Sequence, residues 1–271
     1  MKKFLPVIAI AVVFIVGLCV LLYPVISAIM SKMSEASTIV SYQNAVEDLS
    51  DTDIDKMKAD AQKYNETLYG AILTDPFASE EDLDTSYVEL LNVSEVMGYI
   101  EIPKIDVYLP IFHGSTPEVL EKGVGHLEST SLPIGGESTH AVLTGHRGLP
   151  SATLFTDLDQ LVEGDEFYVH ILDEVLAYKV NQIKVVEPED TKDITIVEGE
   201  DYVTLVTCTP YGINTQRLLI RGERTEYVPE EHQTQAALSL ANEVIIIPAI
   251  FIAIASIPIV LLVRKKRKAK K

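Results

Sequence analysis

The chain is poor in cysteine, and that scarcity bounds what it can be. It has two in 271 residues, Cys19 and Cys208, and Cys19 sits inside an uncharged apolar run, so the rest of the chain holds one thiol without a disulfide partner. A fold stapled by disulfides is excluded. Basic residues are scarce where nucleic acid would need them. Nine of the 22 lysines and arginines lie at the two ends, and the stretch between holds thirteen against forty acidic residues, a net charge of −27. Phosphate binding requires basic patches, so nucleic acid is not an expected partner. Internal repeats are missing, and the basic tail is the only low-complexity tract. What remains is long enough to bury a sizeable core.

Two stretches lack charge altogether. Residues 4–26 and 244–263 each meet the requirement of roughly 20 apolar residues for a spanning helix. Lys2 and Lys3 precede the first, and the basic tail, 264–271, follows the second, so the positive-inside rule places both termini in the cytoplasm and residues 27–243 outside the cell. By the same chemistry the tail also touches anionic lipid. A cleaved signal peptide is the competing account of the first run. Against it stand a weak cleavage site at Ile26-Ser27-Ala28 and an apolar run longer than the usual signal core of about 7 to 15 residues.

Residues 27–96 read as an extracellular helical stalk followed by a loop. Apolar residues recur at three- and four-residue intervals over 31–73, and Asp51, Thr52 and Asp53 break or cap the helix near its middle. Pro76 disfavours the helical region for Asp75, and the acidic run 79–86 continues as exposed loop. Residues 97–224 change to short strands, expected at 98–102, 107–112, 141–144, 166–172, 176–186, 202–207 and 217–221. Short helices are expected at 119–120 and 154–161. Glycine, proline and asparagine turns between such strands point to a closed barrel or sandwich. A polar linker, 225–243, leads to the second span.

Chemistry concentrates in residues 203–224. An apolar strand ends in Cys208, a Pro-Tyr-Gly-Ile-Asn connection follows, and a second strand begins near Arg217. A thiolate needs a rigid mount and a cation or base beside it. Taken alone, an unpaired cysteine of an exported domain is either buried and inert or reactive, and the sequence leaves both open. Six histidines could serve as the base. They are His113, His126, His140, His146, His170 and His232; His232 lies in the linker and His170 in mid-strand, which sets both aside, and His126 follows Gly123-Val124-Gly125 in an expected loop. His140 and His146 would share one strand face, about 20 Å apart at ~3.3 Å per residue, so at most one can serve the site. His146 has the better setting, at a strand end after Gly145 and before a loop, with His140 the second choice.

These residues carry a resemblance. TLVTCTPYGINTQRLLIRGER resembles the signature of the sortases, membrane-bound cysteine transpeptidases of Gram-positive bacteria, and AVLTGHRGLPSATLFTDLDQLVEGDEFY resembles their histidine region. Two spans and an Asp-Pro-aromatic lid motif, Asp75-Pro76-Phe77, are similar to class C, the pilin-polymerising group. Class C lids often carry tryptophan where this chain, which has none, has Phe77. The resemblance implies a mainly β fold, an eight-stranded closed barrel, with Cys208 as nucleophile, His146 as general acid/base and Arg217 stabilising the oxyanion or positioning substrate. It implies pilin subunits or surface proteins with LPXTG-like sorting signals as partners, cleaved after Thr, with no cofactor and no metal. In the lid, Asp75 is expected to pair with Arg217 and Phe77 to cover Cys208. A housekeeping sortase that anchors proteins to peptidoglycan, and a membrane-tethered binding domain with an inert cysteine, are the alternatives.

Overall fold

The computed structural model describes residues 5–229 apart from 69, 72 and 78–82. The expected second span, the basic tail, most of the linker and His232 lie outside the described residues.

The stalk begins as one helix, α1 (Leu5–Glu47), which runs through Pro24 without a break. From Val12 it is long and apolar enough to cross a membrane, with a mean hydropathy of 2.7 in its most apolar window and none of that window buried. The expected break falls just before Asp51. Ser50 caps α2 (Asp51–Glu66), its Oγ accepting from the Asp53 N–H at 3.2 Å, and Asp51 and Asp53 suit the positive end of the helix dipole. Helix was expected as far as Leu73, but α2 stops at Glu66. Thr67 Oγ1 turns back to donate to the Tyr64 carbonyl at 2.7 Å, and Gly70 takes a φ of +81°. The described residues between Leu68 and Phe77 are non-helical and form a strap, and a single helical turn, α3 (Thr85–Val88), lies farther along the chain.

Eight strands then close into a barrel: β1 (Gly98–Ile102), β2 (Val107–His113), β3 (Val124–His126), β4 (Thr139–Thr144), β5 (Glu166–Ile171), β6 (Glu174–Val186), β7 (Asp201–Thr209) and β8 (Gln216–Thr225). Their order around the wall is β1-β2-β3-β4-β7-β8-β6-β5. Period-two alternation sorts the side chains. Ala141, Leu143, Val203, Leu205, Leu218 and Ile220 fill the interior. Val142, Val206 and Leu219 point outward, where Leu127 and Ile194 cover them and Leu73 and Phe77 of the strap pack against them. Burial on both faces explains why β4 and β7 read as nearly continuous apolar runs.

Seven of the strands fall where expected, within a few residues. The eighth, β3, stands where Gly123 and Gly125 predict a loop. Those glycines serve close approach instead: a Cβ at Gly125 would stand 2.2 Å from the Gly114 carbonyl oxygen, and one at Gly123 would stand 2.7 Å from that of Pro110. The first expected short helix is observed as α4 (Pro117–Leu120); the second shrinks to one 3-10 turn, Leu158–Gln160.

Candidate active site

Register brings the expected residues together. The parallel ladder of β4 and β7 ends with Thr144 opposite Val206, and Gly145 N–H continues it to the Val206 carbonyl at 3.1 Å. His146 and Cys208 each follow two residues later on neighbouring chains, on the same outer face. Thr207 Oγ1 locks the turn by donating to the Gly145 carbonyl at 2.7 Å. Only glycine fits at 145, since a Cβ there would come within 2.8 Å of the Phe155 ring. On the other side, the antiparallel ladder of β7 and β8 pairs Cys208 directly with Arg217. Cys208, His146 and Arg217 thus occupy adjacent positions at one end of three adjoining strands.

The strap closes over them. Asp75 takes the Arg217 guanidinium in a fork, Nε donating to Oδ1 at 2.8 Å and Nη2 to Oδ2 at 2.6 Å. Arg217 Nη1 donates to the carbonyls of Gln216 (3.2 Å) and Asn214 (3.4 Å). Asp75 Oδ1 also accepts from the Phe77 N–H at 3.2 Å, which fixes the turn around buried Pro76. The Phe77 ring was expected over the thiol. It lies 5.8 Å from the His146 ring, tilted by 33°, and 4.9 Å from Arg217 Cζ.

Electrostatics favours neutral partners in this closed state. Burial pushes the Cys208 thiol above its ordinary pKa, Arg217 pulls it down, and Asp75 pushes it up again. Burial also holds the His146 imidazole below its ordinary value, with Glu121 acting in the opposite sense. Glu121, which ends α4, was not singled out from the sequence, where nothing about a helix-end glutamate signals a distant histidine. Arg147 was likewise passed over. Its Nε donates to the Thr156 carbonyl at 3.1 Å and Nη1 to Thr209 Oγ1 at 3.2 Å, and it pairs with Asp159, so it ties the loop after His146 to the end of β7.

The other described histidines have structural employment. His126 is fully buried, bonded to Tyr87 Oη and the Ser131 carbonyl at 2.8 Å each, and burial pushes its pKa down to about 4. His140 is bonded to the Thr195 carbonyl at 2.8 Å and to Thr204 Oγ1 at 2.7 Å, with the same shift to about 4. His113 donates to the Leu90 carbonyl at 2.7 Å, and His170 stacks on Tyr99. Neither His146 nor His170 makes a ring hydrogen bond to the described residues, although His170 Nε2 lies 3.3 Å from Glu101 Oε2. Among those residues no group of three or more His, Cys, Asp or Glu could hold a metal ion.

Comparison with known proteins agrees with the fold. A family model described as "Sortase domain" matches residues 100–225. The crystal structure of sortase C-1 from Streptococcus pneumoniae is 50% identical, with a TM-score of 0.68, covering 71% of this chain and 100% of that one. Sortase C1 of Streptococcus agalactiae is 46% identical, with a TM-score of 0.69, covering 73% and 100%. Among curated sequences, Sortase D of Bacillus subtilis is 34% identical over 136 residues, which span 49% of this chain and 66% of that protein, just under two thirds of its length.

Proposed function

The chain belongs to the sortase family, and from that premise we propose that it is a membrane-bound cysteine transpeptidase of the class C, pilin-polymerising kind. The observation that carries the proposal is the register that sets Cys208 opposite Arg217, with Asp75 clamped on that arginine. The substrate is an LPXTG-like sorting signal on a pilin subunit or surface protein. His146 takes the thiol proton as Cys208 Sγ attacks the Thr carbonyl. Arg217, released from Asp75, stabilises the oxyanion, a contribution typically worth about 3–4 kcal/mol. Protonated His146 then gives its proton to the departing Gly amine, and a thioester remains on Cys208. A pilin lysine attacks the thioester, passes its proton to His146, and the thiol is restored with a new isopeptide bond.

Neutral thiol and neutral imidazole suit a resting enzyme. Opening the strap admits water and removes the Asp75 carboxylate, and both changes lower the thiol pKa. The lid and the class C structural relatives favour lysine over a peptidoglycan amine as acceptor. The test incubates the full chain in detergent with a sorting-signal pilin. Covalent pilin multimers are expected, with a thioester on the enzyme detectable by mass spectrometry and absent in Cys208→Ala. Adducts to wall precursor without multimers would move the assignment to a housekeeping enzyme. Normal function of Cys208→Ala would reduce the domain to a binding module.

A further inference from the structure

Helix α1 fixes which way the barrel faces. Its uncharged run ends at Ile26, so a spanning helix leaves the bilayer near Ser27. Ser27 Oγ donates to the Ser151 carbonyl at 3.4 Å, in the loop that follows His146. Lys32 pairs with Asp106 at 3.2 Å, in the turn between β1 and β2. That turn lies at the catalytic end of the barrel: β1 is antiparallel to β2, β2 parallel to β3, β3 antiparallel to β4 and β4 parallel to β7, so the β1–β2 turn stands beside the ends of β4 and β7. Farther along α1, Tyr42 Oη donates to the Met97 carbonyl at 3.0 Å and accepts from the Leu172 N–H at 2.7 Å, both at the opposite end. From Ser27 to Tyr42 the helix climbs about 22 Å at ~1.5 Å per residue, passing from the catalytic end of the barrel to the opposite one.

We propose that the catalytic end of the barrel rests on the bilayer surface, with Tyr211 and Ile213 at the tip of the β7–β8 loop as the lipid-contacting side chains. This rests on the reading of α1 as a membrane span. Tyr211 and Ile213 are 59% and 67% exposed, large and apolar, on the loop that joins Cys208 to Arg217. A tyrosine with an apolar body and a polar tip suits the headgroup boundary. The opposite end exposes Val197 and Val228, so exposure alone does not orient the barrel. The path of α1 does. Three cations near this end are engaged, Arg147 with Asp159, Lys104 with Asp165 and Lys32 with Asp106, and Lys122 is exposed beside Ser27 and Ser151, so the surface offers little positive charge and fits neutral lipid headgroups without requiring anionic ones. The nucleophile would then meet acyl donors whose cleavage site is held at the membrane surface, not proteins free in bulk solvent.

Because the chain has no tryptophan, a single one placed by substitution reports its own depth. Ile213→Trp and Val197→Trp, each in the full chain reconstituted in phosphatidylcholine vesicles, are compared for quenching by phosphatidylcholine bearing a nitroxide on its headgroup. Quenching several-fold stronger in Ile213→Trp is expected. Equal quenching, or stronger quenching in Val197→Trp, overturns the orientation while leaving the catalytic reading intact. A chain that alkaline carbonate strips from the vesicles overturns the orientation together with the span.

Discussion

At the residue scale, the proposed mechanism gives Arg217 two partners it cannot serve at once. Its fork is filled by Asp75, and in that mechanism a transition-state oxygen at Cys208 would need the same donors. Hydrogen bonds to charged groups contribute about 1.5–3 kcal/mol, so the clamp holds the closed form by about ten-fold or more. Asp75→Ala with Phe77→Ala is therefore expected to raise the rate of Cys208 alkylation about ten-fold or more. The direction in pH follows from the same contacts. Asp75 raises the thiol pKa, so its removal moves the midpoint of the alkylation–pH profile to lower pH. An unchanged rate and an unchanged midpoint would show that the strap does not guard the thiol.

At the element scale, α2 packs Ile54 and Ala61 into the core, and one buried amide ties its C-terminal turn to the segment before β4. Asn65, buried near its C-terminus, donates Nδ2–H to the Leu132 carbonyl at 3.2 Å and accepts the Leu132 N–H on Oδ1 at 2.7 Å, the double bond pattern of a strand neighbour. Leu132 is fully buried, so water does not replace the lost partner. Each stranded buried group costs about 1–3 kcal/mol, and Asn65→Ala is expected to destabilise the folded chain by about 2–4 kcal/mol, read as a lower urea midpoint. A midpoint within error of wild type would remove α2 from the load that holds the strap in place. Lysine-to-carboxylate contacts on the same helix, such as Lys56 with Asp60, are solvent-exposed and carry no comparable weight.

At the scale of the whole molecule, the two neutral core imidazoles set an acid limit. His126 and His140 keep folded pKa values of about 4 against 6.5 in the open chain, because burial penalises the charged form. The unfolded chain therefore binds more protons than the folded one between those values. Stability is intact above pH 6.5 and falls as pH drops toward 4, by about 3 kcal/mol for each histidine at 1.36 kcal/mol per unit. Urea midpoints should fall between pH 7 and pH 4.5, and His140→Gln should flatten that slope whatever it does to the midpoint at pH 7. An equally steep slope in the variant would assign the acid limit to other groups.

The sequence by itself determined most of the strands, the helix break before Asp51 and the trio Cys208, His146 and Arg217 as the residues to watch. Alternation and turn residues are local signals, and a thiol without a partner needs only counting. Other features were illegible for physical reasons. Strand β3 hid behind glycines whose purpose, close approach to the carbonyls of Pro110 and Gly114, is visible only when those backbones are in place. His126 and His140 differ from His146 through what surrounds them, since burial and hydrogen bonds are set by elements distant in sequence. Phe77 meets His146 and Arg217, a contact decided by the path of the strap, and Glu121 acts on a histidine it does not neighbour in the chain. An apolar run makes a helix long enough to span a membrane, but only the packing of Ser27, Lys32 and Tyr42 along the barrel wall decides which end of that barrel such a span approaches.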